Sequence, residues 1–121
     1  MTLFTTTEPT ALASLVETQP DAVVSRVILR TDGCTITAFA FDEGQGLTEH
    51  TSPHTAVVVA LEGGLTLTMR PDGEAERTHS LKAGDALTIP GGVPHALHGG
   101  AEFKMLLILA KADADSGATE R

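Results

Sequence analysis

Four of the five histidines in this chain fall in two short clusters. His50 and His54 bracket Thr51, Ser52 and Pro53, and His95 and His98 bracket Ala96 and Leu97. A neutral imidazole offers a lone pair to a metal, and it also exchanges a proton near neutral pH. Two such clusters on separate strands can build a metal site or an acid–base site, provided that the fold brings them to one place. The metal alternative is the more demanding, because ligand nitrogens must lie roughly 2 Å from the ion.

In a straight strand, residues two apart share a face at roughly 7 Å, and residues four apart are separated by roughly 13 Å. His50 and His54 can therefore share a metal only where the chain bends between them. Pro53 donates no ladder hydrogen bond and belongs at an edge or a bulge, so the bend is expected there. The candidate metal set is then His50, His54 and His95, three imidazoles with open coordination positions. Such a set suits a zinc-like or copper-like site. His98 lies an odd number of residues from His95, hence on the opposite face of a strand, and is placed outside the set. For His50 and His95 the residues alone leave two roles open, metal ligand or hydrogen-bonded pocket residue; for His54 a rim position is the alternative. His79 is expected to face solvent, Glu49 to point away from His50, and Glu62 to sit in a turn. No residue is singled out as catalytic.

The elements that must position these residues read as strands. Residues 22–30 are rich in Val and Ile, and residues 34–41 alternate Thr with apolar side chains. Apolar runs follow at 56–61 and 105–110, and Leu65, Leu67 and Met69 alternate with Thr66, Thr68 and Arg70. Residues 74–81 form a polar strand expected at an edge; residues 86–89 and 95–98 add two short ones. Thr31-Asp32-Gly33, Glu62-Gly63-Gly64, Pro71-Asp72-Gly73 and Lys82-Ala83-Gly84-Asp85 supply turns between them. Eight or nine short strands with this punctuation predict an all-β sandwich or barrel. Pro9, followed by Ala11, Leu12, Leu15 and Val16, predicts one short N-terminal helix packed outside the main body. The domain reading is an N-terminal segment over 1–20, a β-barrel over 21–110 and a small, charged, disordered tail over 111–121.

Composition narrows the function. The chain has 121 residues, enough for one domain, and a formal net charge of -8. That charge argues against nucleic acid as a partner and against anionic membrane surfaces. With no Trp, no Tyr and four Phe, stacking platforms for bases are scarce and a tyrosine acid or base is excluded. Cys34 is the single cysteine, so an internal disulfide is excluded, and its expected role is a small apolar strand residue. Neither a membrane span nor a signal peptide is read in the sequence, and a cytoplasmic location is expected. The runs at 56–61 and 105–110 are apolar on both faces and need cover on both; a second subunit over the outer face predicts a homodimer.

The segment from Gly44 to Gly63 resembles the first motif of the cupin superfamily: a glycine, five residues, His-x-His, three or four residues, Glu, six residues, Gly. Gly44, His50 and Gly63 carry that likeness. The segment from Gly84 to Gly99 resembles the second motif, in which a glycine is followed by five residues, Pro-x-Gly, two residues, His, three residues and Asn; Gly84, Pro90, Gly92 and His95 match it. The resemblance spans about residues 22–110 and implies a cupin-type antiparallel jelly-roll β-barrel with a site in its mouth. It also implies a single divalent transition metal (zinc, nickel, copper, manganese or iron) held by motif side chains, and a small organic molecule acted on or bound there. The chain departs from the pattern at three places: Ser52 stands at the second His position, Ala56 or Val57 at the Glu position and Gly99 at the Asn position. Only His50 and His95 carry over as ligands; His54 and His98 are extra imidazoles. The missing carboxylate disfavours iron, whose oxygenase site uses two His and one carboxylate, and it leaves acid–base work to histidine. The expected pocket lining is apolar: Phe39, Phe41, Val58, Leu67, Met69, Leu97 and Leu107, which suits a small, fairly apolar ligand. The competing expectation is a non-catalytic, metal-free cupin that binds a small ligand.

Overall fold

The computed structural model describes residues 7–111. The tail expected to be disordered lies, apart from Lys111, outside the described residues. Nine strands follow in order: β1 (Val23–Arg30), β2 (Cys34–Phe41), β3 (Gly46–His50), β4 (Thr55–Glu62), β5 (Leu65–Met69), β6 (Arg77–Leu81), β7 (Ala86–Ile89), β8 (His95–His98) and β9 (Phe103–Ala110). They form a five-stranded sheet in the order β1-β2-β9-β4-β7 and a four-stranded sheet in the order β3-β8-β5-β6. All the pairings are antiparallel. This is the all-β jelly-roll barrel that the strand pattern and the motifs predict.

Alternation decides what fills it. Phe41, Val58, Leu67, Leu97, Phe103 and Met105 lie in the core between the sheets, and all are buried. Phe41 stacks on Phe103 with ring centroids 4.3 Å apart and planes 8° from parallel, a close near-parallel contact between two buried rings. The predicted lining residues Phe39 and Leu107 pack against the same core from partly buried positions. At the β4–β5 hairpin, Gly63 adopts a φ of +69°, and a Cβ there would stand 2.4 Å from the Glu102 carbonyl oxygen. Both the left-handed backbone and the close approach require glycine.

The opposite residues of the larger sheet make a second apolar layer. Ala38, Ala40 and Leu106 are buried on it with Val16, and Ile36, Val59, Leu61 and Ile108 pack beside them partly exposed. The N-terminal segment supplies part of the cover. It is one 3-10 turn over Leu12–Leu15 rather than a helix running on toward Pro20, and Val16 is already extended. Ala11 provides no side-chain cap, so the orphan N–H groups that an α-helix exposes at its start lack a partner of that kind. The segment is tied down instead by two cations of the sheet. Arg26 Nη1 donates to the Leu15 carbonyl at 3.1 Å, and Lys104 Nζ to the Ala13 carbonyl at 2.7 Å.

Candidate functional site

The site begins with an irregularity in the smaller sheet. Leu47 of β3 lies opposite Leu97 of β8, and three residues later His50 lies opposite His95, only two residues back along β8. A regular ladder would place Glu49 opposite His95 and turn His50 to the outside. The extra residue in β3 is a β-bulge, which re-aims every side chain beyond it. It brings His50 onto the face that His95 occupies and leaves Glu49 exposed, ion-paired with Arg70.

The two imidazoles meet directly. Their ring centroids are 4.3 Å apart with planes at 63°, edge to face. His95 is buried and His50 is exposed. Each ring is held by the main-chain carbonyl two residues before it: His50 Nδ1 lies 2.8 Å from the Thr48 carbonyl oxygen, and His95 Nδ1 lies 2.9 Å from that of Val93. A carbonyl only accepts, so Nδ1 carries the proton in both rings. The Nε2 lone pair of each neutral imidazole is then left for a ligand, the tautomer that metal-bound histidines adopt when a carbonyl holds the other nitrogen.

His54 belongs to the bend at Pro53 and His54, where its main-chain N–H donates to Ser52 Oγ at 3.1 Å. The expected interruption at Pro53 is present between β3 and β4. The His54 ring is partly buried, and its Nδ1 is shielded from solvent with no hydrogen-bond partner among the described residues. The bend is sewn to the loop that leads into β8: Gly92 N donates to the Ser52 carbonyl at 2.8 Å and Gly91 N to Thr55 Oγ1 at 3.3 Å. Among the described residues, no three His, Cys, Asp or Glu side chains converge closely enough to hold a metal. The structure thus brings together His50 and His95 of the predicted set and does not gather His54 with them into a three-ligand group. His98 is exposed, as its odd spacing from His95 requires, and so are His79 and Glu62.

The pairings continue the site across the sheet. His95 lies opposite Met69 of β5, and Met69 lies opposite Arg77 of β6. His50, His95, Met69 and Arg77 therefore form one transverse row on one face. The next row inward is Leu47, Leu97, Leu67 and His79. Sequence reasoning missed Arg77 as a member of this surface. The available signal was the β5–β6 hairpin, whose turn fixes which β6 residue faces Met69.

A family model described as "Cupin domain" matches residues 38–109. None of the curated proteins matches the sequence. Among solved structures, a cupin superfamily protein from Desulfitobacterium hafniense is similar at 26% identity and a TM-score of 0.81, over 92% of this chain and 97% of that one. A conserved protein of unknown function from Streptococcus pyogenes is similar at 29% identity and a TM-score of 0.81, over 94% of this chain and 98% of that one. A cupin 2 conserved barrel domain protein from Leptotrichia buccalis is 32% identical with a TM-score of 0.70, over 82% of this chain and 46% of that one.

Proposed function

Since the chain belongs to the cupin family, we propose that it binds a small organic molecule at the barrel mouth beside a divalent transition metal held by Nε2 of His50 and Nε2 of His95. The observation that carries this reading is the locking of both Nδ1 atoms by main-chain carbonyls, which leaves two adjacent imidazole lone pairs for a ligand. His54 is the candidate for a third nitrogen, and its unpartnered Nδ1 is the reason to count it. Nitrogen donors without a carboxylate favour zinc, nickel or copper over manganese and iron. A bound cation would supply Lewis acidity toward an oxygen of the small molecule. The chain's own part is to orient the two rings through Thr48 and Val93 and to offer an apolar wall.

The alternative is a metal-free barrel that binds a small ligand without turnover. The edge-to-face contact of His50 with His95 favours it, because that contact is self-sufficient packing. Metal content by elemental analysis, on protein purified without a histidine tag, separates the two. Near-stoichiometric metal that is lost in both His50→Ala and His95→Ala supports the first. Protein that stays metal-free after loading with zinc, nickel, copper, manganese and iron rejects it.

We propose further that the protein is a cytoplasmic homodimer, the second copy covering the apolar outer layer of the larger sheet. No helix among the described residues is long and apolar enough to cross a membrane.

A further inference from the structure

The two sheets have free edges at β6 and β7, which the Lys82–Asp85 turn connects in sequence. A groove of about 350 Å³ lies between these edges. Its apolar wall includes Met69, Leu87 and Val93, and its rim carries Glu74 beside Arg77 and His79. Two of these residues also belong to the surroundings of the histidine pair. Met69 is the strand neighbour of His95, and the Val93 carbonyl accepts the His95 Nδ1 proton. The groove and the pair are thus successive parts of one surface, with neighbouring strands about 4.8 Å apart along the row.

We propose that this groove binds the carboxylate end of a small, apolar organic acid. The guanidinium of Arg77 and the ring N–H of His79 receive the carboxylate, the apolar body lies across Met69, Leu87 and Val93, and the far end points along the row toward His95. Arg77 is suited to this part. One of its terminal nitrogens, Nη2, donates to Glu74, and its other N–H groups have no partner among the described residues. A guanidinium presents five donors in a planar fork that matches a carboxylate. Glu74 and Arg77 are both about half exposed, and such exposed pairs contribute little, so a ligand carboxylate can share or replace Glu74. The metal reading above enters only in the direction of the ligand's far end; the anion subsite stands on Arg77, His79 and the groove.

The test uses 3-methylbutanoate and its neutral analogue 3-methylbutanamide, titrated into the full chain and followed by backbone amide shifts, with and without zinc. The acid is expected to move the amides of Met69, Arg77, His79 and Leu87 and to bind at least about tenfold tighter than the amide, the margin of a charge-assisted contact. Arg77→Gln should abolish that margin and Arg77→Lys should keep part of it, with zinc uptake unchanged in both. His50→Ala should remove zinc uptake and keep acid binding. Equal binding of acid and amide, acid binding that survives Arg77→Gln, or no shift up to tens of millimolar acid would overturn the proposal. Absence of zinc uptake with the acid seated on Arg77 would overturn the metal reading alone.

Discussion

Gly91 stands directly against the Pro53 carbonyl: a Cβ on Gly91 would lie 2.4 Å from that oxygen. The contact welds the loop that delivers His95 to the bend at Pro53 and His54. Gly91→Ala should therefore force the two segments apart, with a loss of about 1–3 kcal/mol as for overpacking in a tight site. Gly92, one residue on, has open space around its Cβ but a φ of +86°; Gly92→Ala should cost only about 1 kcal/mol. Urea unfolding of both variants measures the difference, and an equal loss in the two would show that the contact with Pro53 carries no weight.

Zinc or nickel should raise the melting temperature of the wild-type protein, because an ion that binds the folded chain stabilises it by mass action. His50→Ala and His95→Ala should each abolish the rise and weaken binding by at least ~100-fold, about 2.7 kcal/mol. His98→Ala should leave it untouched, since His98 is exposed on the other face of β8. A rise that persists in His95→Ala would place the ion elsewhere.

The Phe41–Phe103 stack is fully buried. Phe103→Ala should cost about 3–5 kcal/mol, a large part of the stability of a domain this size. Phe103→Leu, which keeps most of the volume, should be much milder. Guanidinium unfolding of the two variants checks the order; similar losses would mean that ring stacking, rather than filled volume, dominates.

Asp85 closes the turn between β6 and β7, where its Oδ2 accepts the Lys82 main-chain N–H at 3.0 Å. That hydrogen bond holds its carboxyl below the ordinary value; burial opposes the shift and the Lys82 ammonium adds to it. A lowered folded-state value means that the unfolded chain binds the proton more readily. The stabilisation is present above the unfolded-state value and is lost as pH falls through the folded-state one. Asp85→Asn should lower the urea midpoint at neutral pH, and the gap to wild type should close in acid. A gap that stays constant with pH would assign the effect to turn geometry.

If the outer layer of the larger sheet is a dimer interface, the wild-type protein should sediment at twice the mass of one chain. Val59→Asp, in the middle of that layer, should shift it to the monomer with its strand content retained in circular dichroism. A wild-type monomer at micromolar concentration would dismiss the interface.

The strands were legible because alternation and glycine-bearing turns are local signals: Leu65, Leu67 and Met69 point inward as their spacing says, and all three are buried. The pairing of His50 with His95 was legible as an expectation from the two motifs, but its cause was not. The bulge in β3 depends on how β8 docks, and no local pattern in Leu47–His50 encodes the extra residue. The N-terminal segment misled for a related reason. Leu15 and Val16 have helical spacing from Leu12, yet their burial is decided by the sheet beneath them and by the cations of Arg26 and Lys104. Arg77 escaped notice because its place in the row follows from the register of two hairpin strands, which a charge read along one strand does not reveal.

The last strand among the described residues, β9, lies between β2 and β4 in the larger sheet. During synthesis, then, β2 and β4 emerge with apolar faces and open ladders, and neither can be completed by what has already left the ribosome. The larger sheet cannot close until Phe103–Ala110 is available, whereas the strands of the smaller sheet, β3, β8, β5 and β6, all precede it in the chain. Until that strand arrives, β2 and β4 each keep an open ladder edge, and unpaired strand edges of this kind make an incomplete chain prone to aggregate.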